Sequence, residues 1–377
     1  PVFNIIMANI HKFFNCYYPD YKRYNLLLTP MYKNVFSILI VLTIVFQGCK
    51  PSQPIKYGLE IGFVNTNITN NLRGLSVVNE NVVWTSGTNG VVLKTRDGGE
   101  NWQIRTVPGA DSMDFRSIEA FDENKALVVS AGCPASIYLT IDGGITWNLM
   151  WKDDDPAVFL DAVSFWNKTD GLVMGDPVDS ALFILKTVDG GNTWQRVPPD
   201  NIPKSLPVEG GYAASGTCMA VAGKEHAWIG TGGDSARVYL SNNAGQSWSV
   251  VNTPLLSGSP MKGIYSLSFK NKKEGIAIGG EWNVKNPSRS KAYTIDGGKS
   301  WVLGTGADTY CSGSCFVKDD IYLACGQMGI DLSQDAGKTW EHVSDLHLYG
   351  IEFSPSGKTG FGSGPSGRLV KISIKEL

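Results

Sequence analysis

From residue 57 onward the apolar residues fall in short β-prone runs separated by turn residues, and no segment sustains a 3.6-residue apolar period. The stretch LRGLSVVNENVVWTSGTNGVVLKTRDGGENWQIRTV sets the pattern: strand, turn, strand ending in Gly, loop, strand, Asp-containing turn, strand. FRSIEAF, LDAVSFW, ASGTCMA, IYSLSFK and CSGSCFV open five further copies. A seventh opening, LYGIEFSPSGKTGFGSGPSGRLVKISI, supplies three strands, and YGLEIGFVN at residues 57–65 offers a fourth from the other end. Four-stranded sheets repeated radially and joined tail to head make a β-propeller, which leaves few open sheet edges. The pattern predicts an all-β, seven-bladed propeller over residues 57–377, its ring closed by the N-terminal strand pairing in the last blade. An open solenoid would want capping repeats at both ends, and a complementary half-blade stands there instead.

One phrase marks six of the copies: TRDGGENW, TIDGGITW, TVDGGNTW, SNNAGQSW, TIDGGKSW and SQDAGKTW. Its third residue is Asp97, Asp142, Asp189, Asn243, Asp296 or Asp335, at steps of 45, 47, 54, 53 and 39 residues. It ends on Trp102, Trp147, Trp194, Trp248, Trp301 or Trp340, six of the chain's 11 Trp. Asp-Gly-Gly supplies the positive φ angles of a tight hairpin, and the carboxylate accepts hydrogen bonds from the turn's own N–H groups. The indole lays a large apolar ring on the neighbouring layer. The phrase is therefore expected to be architectural.

The phrase is identified as the Asp-box, also called the bacterial neuraminidase repeat, and the cadence GLVMG…LFILKTVDGGNTW resembles the photosystem II stability/assembly factor-like family. The resemblance covers residues 57–377 and implies a seven-bladed Asp-box propeller that assists membrane-complex assembly rather than catalysing a reaction. The fourth box departs from the pattern at Asn243 and Ala244, the sixth at Ala336. Asp-boxes also occur in sialidases, other glycosidases and sorting receptors, so the motif specifies fold more than function.

The first 56 residues follow a different pattern. Lys33 precedes a 12-residue apolar run from Val35 to Phe46, ahead of Gly48 and Cys49. The run is short for a bilayer span and has the layout of a secretory h-region. Residues 31–48 resemble a bacterial lipoprotein signal with Cys49 as the lipidated residue, although Phe46 and Gln47 depart from the usual lipobox. Residues 49–56 read as a linker and residues 1–30 as an upstream artefact. A chain so built would sit in the cell envelope, periplasmic or at the cell surface, held to the membrane by the lipid alone.

A net charge of −2 with 18% charged residues leaves no basic footprint for nucleic acid. Setting Cys16 and Cys49 aside leaves five cysteines, an odd count unlike a disulfide framework. Cys315 and Cys325 flank a hairpin in which they could lie opposite each other, as a disulfide or as two buried thiols. Four His and no CxxC argue against a metal site.

With boxes joining the third and fourth strands of each blade, the opposite face carries the second-to-third-strand loops and the starts of the innermost strands. Aligning those starts places Arg73, Arg116, Asp161, Ser215, Tyr265, Ser312 and Tyr349 around the central channel. Two Arg from adjacent blades suit a bidentate grip on carboxylate or phosphate. Asp176, Arg237, Glu281, Trp282 and Arg289 belong to loops expected to overhang them. A polar ligand-binding face follows, against the alternative that these charges only solvate the channel mouth.

Three enzyme readings compete. A sialidase-like glycoside hydrolase could draw on Arg73, Arg116, Arg237 and Arg289, Tyr265 or Tyr349, and Glu119 or Glu352. The F-R-I-P signature of that family is absent, FRSI at 115–118 being a partial echo, and its catalytic domains have six blades. An oxidoreductase would need GSGPSG at 362–367 to open a helix with an acidic residue about 20 positions on, yet RLVKISI reads as a strand. A nucleophilic triad lacks G-x-S-x-G. The reading that remains is a monomeric, non-catalytic, cofactor-free propeller binding a protein or carbohydrate on its loop face.

Overall fold

In the computed structural model, which describes residues 56–377, each repeat forms one sheet of four antiparallel strands, to which the sixth blade adds a short parallel pairing of Thr305–Gly306 with its outer strand. In the first blade Leu72–Val77 lies innermost, followed outward by Val83–Gly87, Val91–Thr95 and Gln103–Thr106. The second and third strands are buried along their whole length, because a blade lies over each face; the fourth alternates between half-buried and exposed. Innermost strands Phe115–Ala120, Leu160–Phe165, Met219–Ala222, Ser259–Phe269, Gly313–Lys318 and Gly350–Phe353 carry the ring round. The 3₁₀ turn Pro199–Asn201 is the only helix among the described residues.

The two ends of the propeller meet. Tyr57–Val64 pairs antiparallel with Leu369–Glu376, from Tyr57 against Glu376 to Val64 against Leu369, and so completes the seventh blade. Between the seventh and first blades Leu369 packs with Leu72, Val91 and Leu93, and Phe361 with Val77 and Val83. Trp102 of the first box meets Phe361 edge-on at 6.0 Å. An apolar layer of the same kind fills each other blade interface, so the core is seven wedges rather than one ball.

The boxes lie between third and fourth strands and satisfy themselves. In the first, Thr95 Oγ1 donates to Asp97 Oδ1 at 2.8 Å, the Asn101 amide donates to the same oxygen at 2.9 Å, and Trp102 Nε1 donates to the Gly99 carbonyl at 3.2 Å. The Asn101 amide, the Asn101 side chain and the Thr95 hydroxyl pull the Asp97 carboxyl down to about 2, and the Thr146 hydroxyl and amide do the same for Asp142. The Trp bond recurs at Trp194, Trp248, Trp301 and Trp340; Trp147 Nε1 lacks it. Asn243 keeps the geometry, with Ser241 donating to its Oδ1 and its Nδ2 donating to Ser247. Only six boxes exist because the third and fourth strands of the seventh blade come from opposite ends of the propeller.

Two expectations need correction. ASGTCMA does not open a strand at its first residue: the fourth inner strand starts at Met219, and residues 202–218 form an insertion. Within it Glu209–Gly210 pairs with Gly232–Gly233, which pairs in turn with the inner strand of the fifth blade. Cys315 and Cys325 are not opposite each other, since Cys325 faces Gly313 and Cys315 faces Leu323; both are free, buried thiols. The readings of residues 1–30, of the 31–48 signal and of Cys49 lie outside the described residues. Among those described, no helix is long and apolar enough to cross a membrane.

Candidate functional site

The insertion closes the central channel. Residues 211–216 run across it, and the ring holds them from several sides. Arg73 Nη1 donates to the Ala214 carbonyl at 2.9 Å, Arg116 Nη1 to that of Ala213 at 3.3 Å, and Ser215 Oγ to that of Ser312 at 2.8 Å. Gly216, at φ +74°, passes so close to the second blade that a Cβ there would lie 2.5 Å from Ser117 Oγ. A left-handed turn against a neighbouring strand admits glycine and little else.

Above this plug, on the face opposite the boxes, lies a cavity of ≈ 360 Å³. The inner strands bring Arg73, Arg116, Asp161 and Tyr265 to it, Tyr265 from the middle of the long Ser259–Phe269 rather than its start; Ser312 and Tyr349 come from just ahead of theirs, Asp176 from the end of Gly171–Val178, and Trp282 from its loop. Tyr212, on the plug, stacks flat on Tyr265 at 3.9 Å, and Tyr310 meets Tyr265 edge-on at 5.0 Å. Trp282 stands at the rim, 48% exposed. A second cavity of ≈ 590 Å³ continues outward over Pro207–Gly210 and shares Asp176, Gly211, Tyr212 and Pro260 with the first.

Electrostatically the cleft has two halves. On one side the Arg73 guanidinium lies 3.9 Å over the Tyr349 ring; burial and the neighbouring Arg116 both lower its proton affinity. Arg116 is held by Asp114, Nε to Oδ2 at 2.7 Å. On the other side Asp161 is 1% exposed and neither carboxylate oxygen has a hydrogen-bond partner; the Ala213 amide lies near without completing a bond. Burial first, then the Asp176 charge, raise its pKa well above the ordinary range, against the pull of Arg116. Burial also raises that of Asp176, opposed by the Gly211 amide, which donates to Oδ1 at 2.9 Å.

Other candidate residues lie elsewhere. Arg237 does not overhang the cleft: its Nε donates to Glu209 Oε1 at 2.9 Å and its Nη2 to the Lys204 carbonyl at 3.0 Å, which fastens the insertion to the fourth blade. Glu281 pairs with Lys262 at 3.6 Å beside the cleft, and Arg289 is exposed on its loop at φ +57°. Glu352 lines a separate cavity of ≈ 260 Å³ together with Ser215 and Thr217. Burial pushes Glu119 and Glu352 up to about 8, with the Glu352 charge adding to the shift of Glu119. Neither lines the cleft that holds Arg73 and Tyr265. No group of three metal-ligating side chains exists among the described residues.

The family model for the photosynthesis system II assembly factor YCF48 matches residues 60–150 and 117–253, together about half of the chain. The chain belongs to this family. Two YCF48 structures share the propeller: one bound to D1 peptide, at TM-score 0.57 and 18% identity over 85% of this chain and 96% of that one; the other from Cyanidioschyzon merolae, at 0.56 and 19% over 83% and 98%. At such identity the likeness is one of fold. A xyloglucanase, Xgh74A of Acetivibrio thermocellus, is 23% identical over 249 residues, 56% of this chain and 28% of that protein's length. The YCF48-type propeller here thus spans about a quarter of the curated relatives it matches.

Proposed function

We propose that the protein is a binding module that holds an extended segment of a partner protein in the cleft, with Arg73 and Arg116 gripping a carboxylate of that segment. The observation that carries this reading is the convergence of both guanidiniums, from adjacent inner strands, on a tyrosine-walled cleft whose floor is the plug. Guanidinium forks recognise carboxylates bidentately, and flat aromatic walls bury a backbone or side-chain stem at low entropic cost. The outward continuation of the cleft past Pro207 suits a strand-like ligand better than a compact one. The YCF48 bound to D1 peptide is a structural precedent for peptide binding by this kind of ring. A pull-down from envelope extract tests it: the unaltered chain should retain a partner that the Arg73→Ala, Arg116→Ala double variant loses. Equal capture by both would refute it.

A second reading, glycoside hydrolysis, is favoured by one observation, the neighbouring carboxyl groups of Asp161 and Asp176 in the same cleft. Release of reducing ends from xyloglucan, lost in Asp161→Asn and Asp176→Asn, would establish it in place of the first. We further propose that Cys49 carries a lipid which holds the monomeric propeller at the cell envelope. Palmitate labelling of the full chain should disappear in Cys49→Ser; labelling that persists would remove the anchor.

A further inference from the structure

Asp161 is an acceptor without donors. It sits at the start of an innermost strand, 1% exposed, with both oxygens unpartnered and with the cleft in front of it. An unpaired buried carboxylate is costly and persists where something outside the fold completes it. The nearest cations are held away from it, Arg116 through Nε on Asp114 and Nη1 on the Ala213 carbonyl, Arg73 through Nη1 on the Ala214 carbonyl and its stack on Tyr349, with their remaining N–H groups left for a ligand carboxylate. Asp176 borders the same ligand space. A Cβ on Gly210 would lie 2.5 Å from Asp176 Oδ1 and one on Gly211 2.6 Å from Asp161 Oδ2, so the two carboxyl groups flank one glycine pair. Gly210 and Gly211 keep that approach open where any side chain would fill it.

We infer that Asp161 and Asp176 form a cation subsite which takes the ammonium of a lysine side chain carried by the bound segment. The inference rests on the segment-binding reading and names what that segment must bring. Three N–H donors of an ammonium match the idle oxygens of Asp161 and the free lone pairs of Asp176. The four-carbon stem lies along the Tyr212–Tyr265 stack, whose apolar rings cover its methylenes. Charge agrees in sign: Arg116 is already paired with Asp114, which leaves the Asp161–Asp176 side of the cleft without a cation of its own. A calcium ion takes six to eight oxygens, and two carboxylates with aromatic walls fall short of that number. The segment so defined carries a lysine within reach of an acidic group, one charge for each half of the cleft.

Titration of the full chain with Nα-acetyl-lysine amide, against its neutral isostere Nα-acetyl-norleucine amide, tests the subsite through Trp282 fluorescence and amide chemical shifts. The lysine compound should saturate, with the norleucine compound roughly tenfold weaker or worse, as expected for a lost charge-assisted hydrogen-bonded group. Asp161→Asn should weaken lysine binding by a similar factor while the thermal midpoint holds, because the fold makes no hydrogen bond to this carboxyl group. A residue with only a structural role would show the reverse, a fall in midpoint with binding intact. Equal binding of the two amides overturns the subsite, as does a saturable response to calcium that Asp161→Asn abolishes. If the Arg73→Ala, Arg116→Ala variant still captures partners, the segment-binding reading falls while the lysine titration stands; if the two amides bind alike, the subsite falls alone.

Discussion

Glu209→Ala should unlatch the plug without melting the ring. The Glu209 side chain is fully buried, and five donors converge on it: Arg237 Nε at 2.9 Å, Arg237 Nη2, Thr231 Oγ1 at 2.6 Å, the Leu206 amide at 2.8 Å and Tyr239 OH at 3.2 Å. Removing the carboxylate strands a guanidinium that is 10% exposed, a change that costs about 3–5 kcal/mol in buried pairs. The remaining hold on the insertion's outer edge is the short pairing of Glu209–Gly210 with Gly232–Gly233, the exchange between Val208 and Asp234, and two bonds to carbonyls, Arg237 Nη2 to that of Lys204 and the Ser205 amide to that of Ser180. Opening lets Arg237 reach water, so the cost should be relieved locally rather than by unfolding seven blades. Hydrogen exchange read by mass spectrometry should show protection over residues 204–216 falling roughly a hundredfold or more, at about 1.4 kcal/mol per factor of ten, with inner strands unchanged. The cleft would lose its floor, and with it capture of a partner. Unchanged protection over 204–216, or a loss spread evenly around the ring, would refute the latch.

Three other outcomes follow from the same structure. Ala244 and Ala336 hold φ +56° and +61°, where the other boxes have glycine, so Ala244→Gly and Ala336→Gly should each stabilise the protein by up to about 1 kcal/mol in denaturant titration. Asp97 and Asp142 should titrate near pH 2 by NMR. Because their folded pKa values lie below the unfolded one, the boxes' contribution is present above about pH 4 and lost as pH falls through 2, where acid unfolding should begin at the blade rims. His342, bonded to Asp331 at 2.8 Å and Asp345 at 3.0 Å, has a raised pKa; its contribution is complete below its unfolded value of about 6.5 and declines as pH rises through the folded one. His342→Gln should flatten that slope in thermal melts between pH 6 and 8.

The ring was legible because its parts are local. Each box fixes its own turn through contacts four residues long, and the boxes' spacing counts the blades before any tertiary contact is known. Closure could be read because a three-strand remainder at one end matched a single strand at the other. Arg73, Arg116, Asp161, Tyr265 and Tyr349 reach one cleft for the same reason: equivalent positions of equivalent strands face a common axis. The plug was not legible. Its contacts reach the first, second and sixth blades, sequence separations of about a hundred residues that no local pattern records. ASGTC also alternates like a strand, which hid the crossing. The step of 54 residues between the third and fourth boxes, against 45 and 47 before it, carries only part of the insertion's signal, because the next step of 53 is as long and does not single out this blade. Arg237 was misplaced for a related reason: its partner Glu209 belongs to that insertion, so a loop arginine became a buried latch.

Site-specific photo-crosslinking in cells reaches the central claim most directly. A benzophenone side chain at position 282, on the rim of the plugged cleft, is compared with one at position 145, on an exposed box corner of the opposite face. Expected is a discrete adduct from position 282 that vanishes when Arg73 and Arg116 are both alanine, with none from position 145. An adduct from position 145 alone, or one from 282 indifferent to the two arginines, would contradict a partner segment seated over the plug.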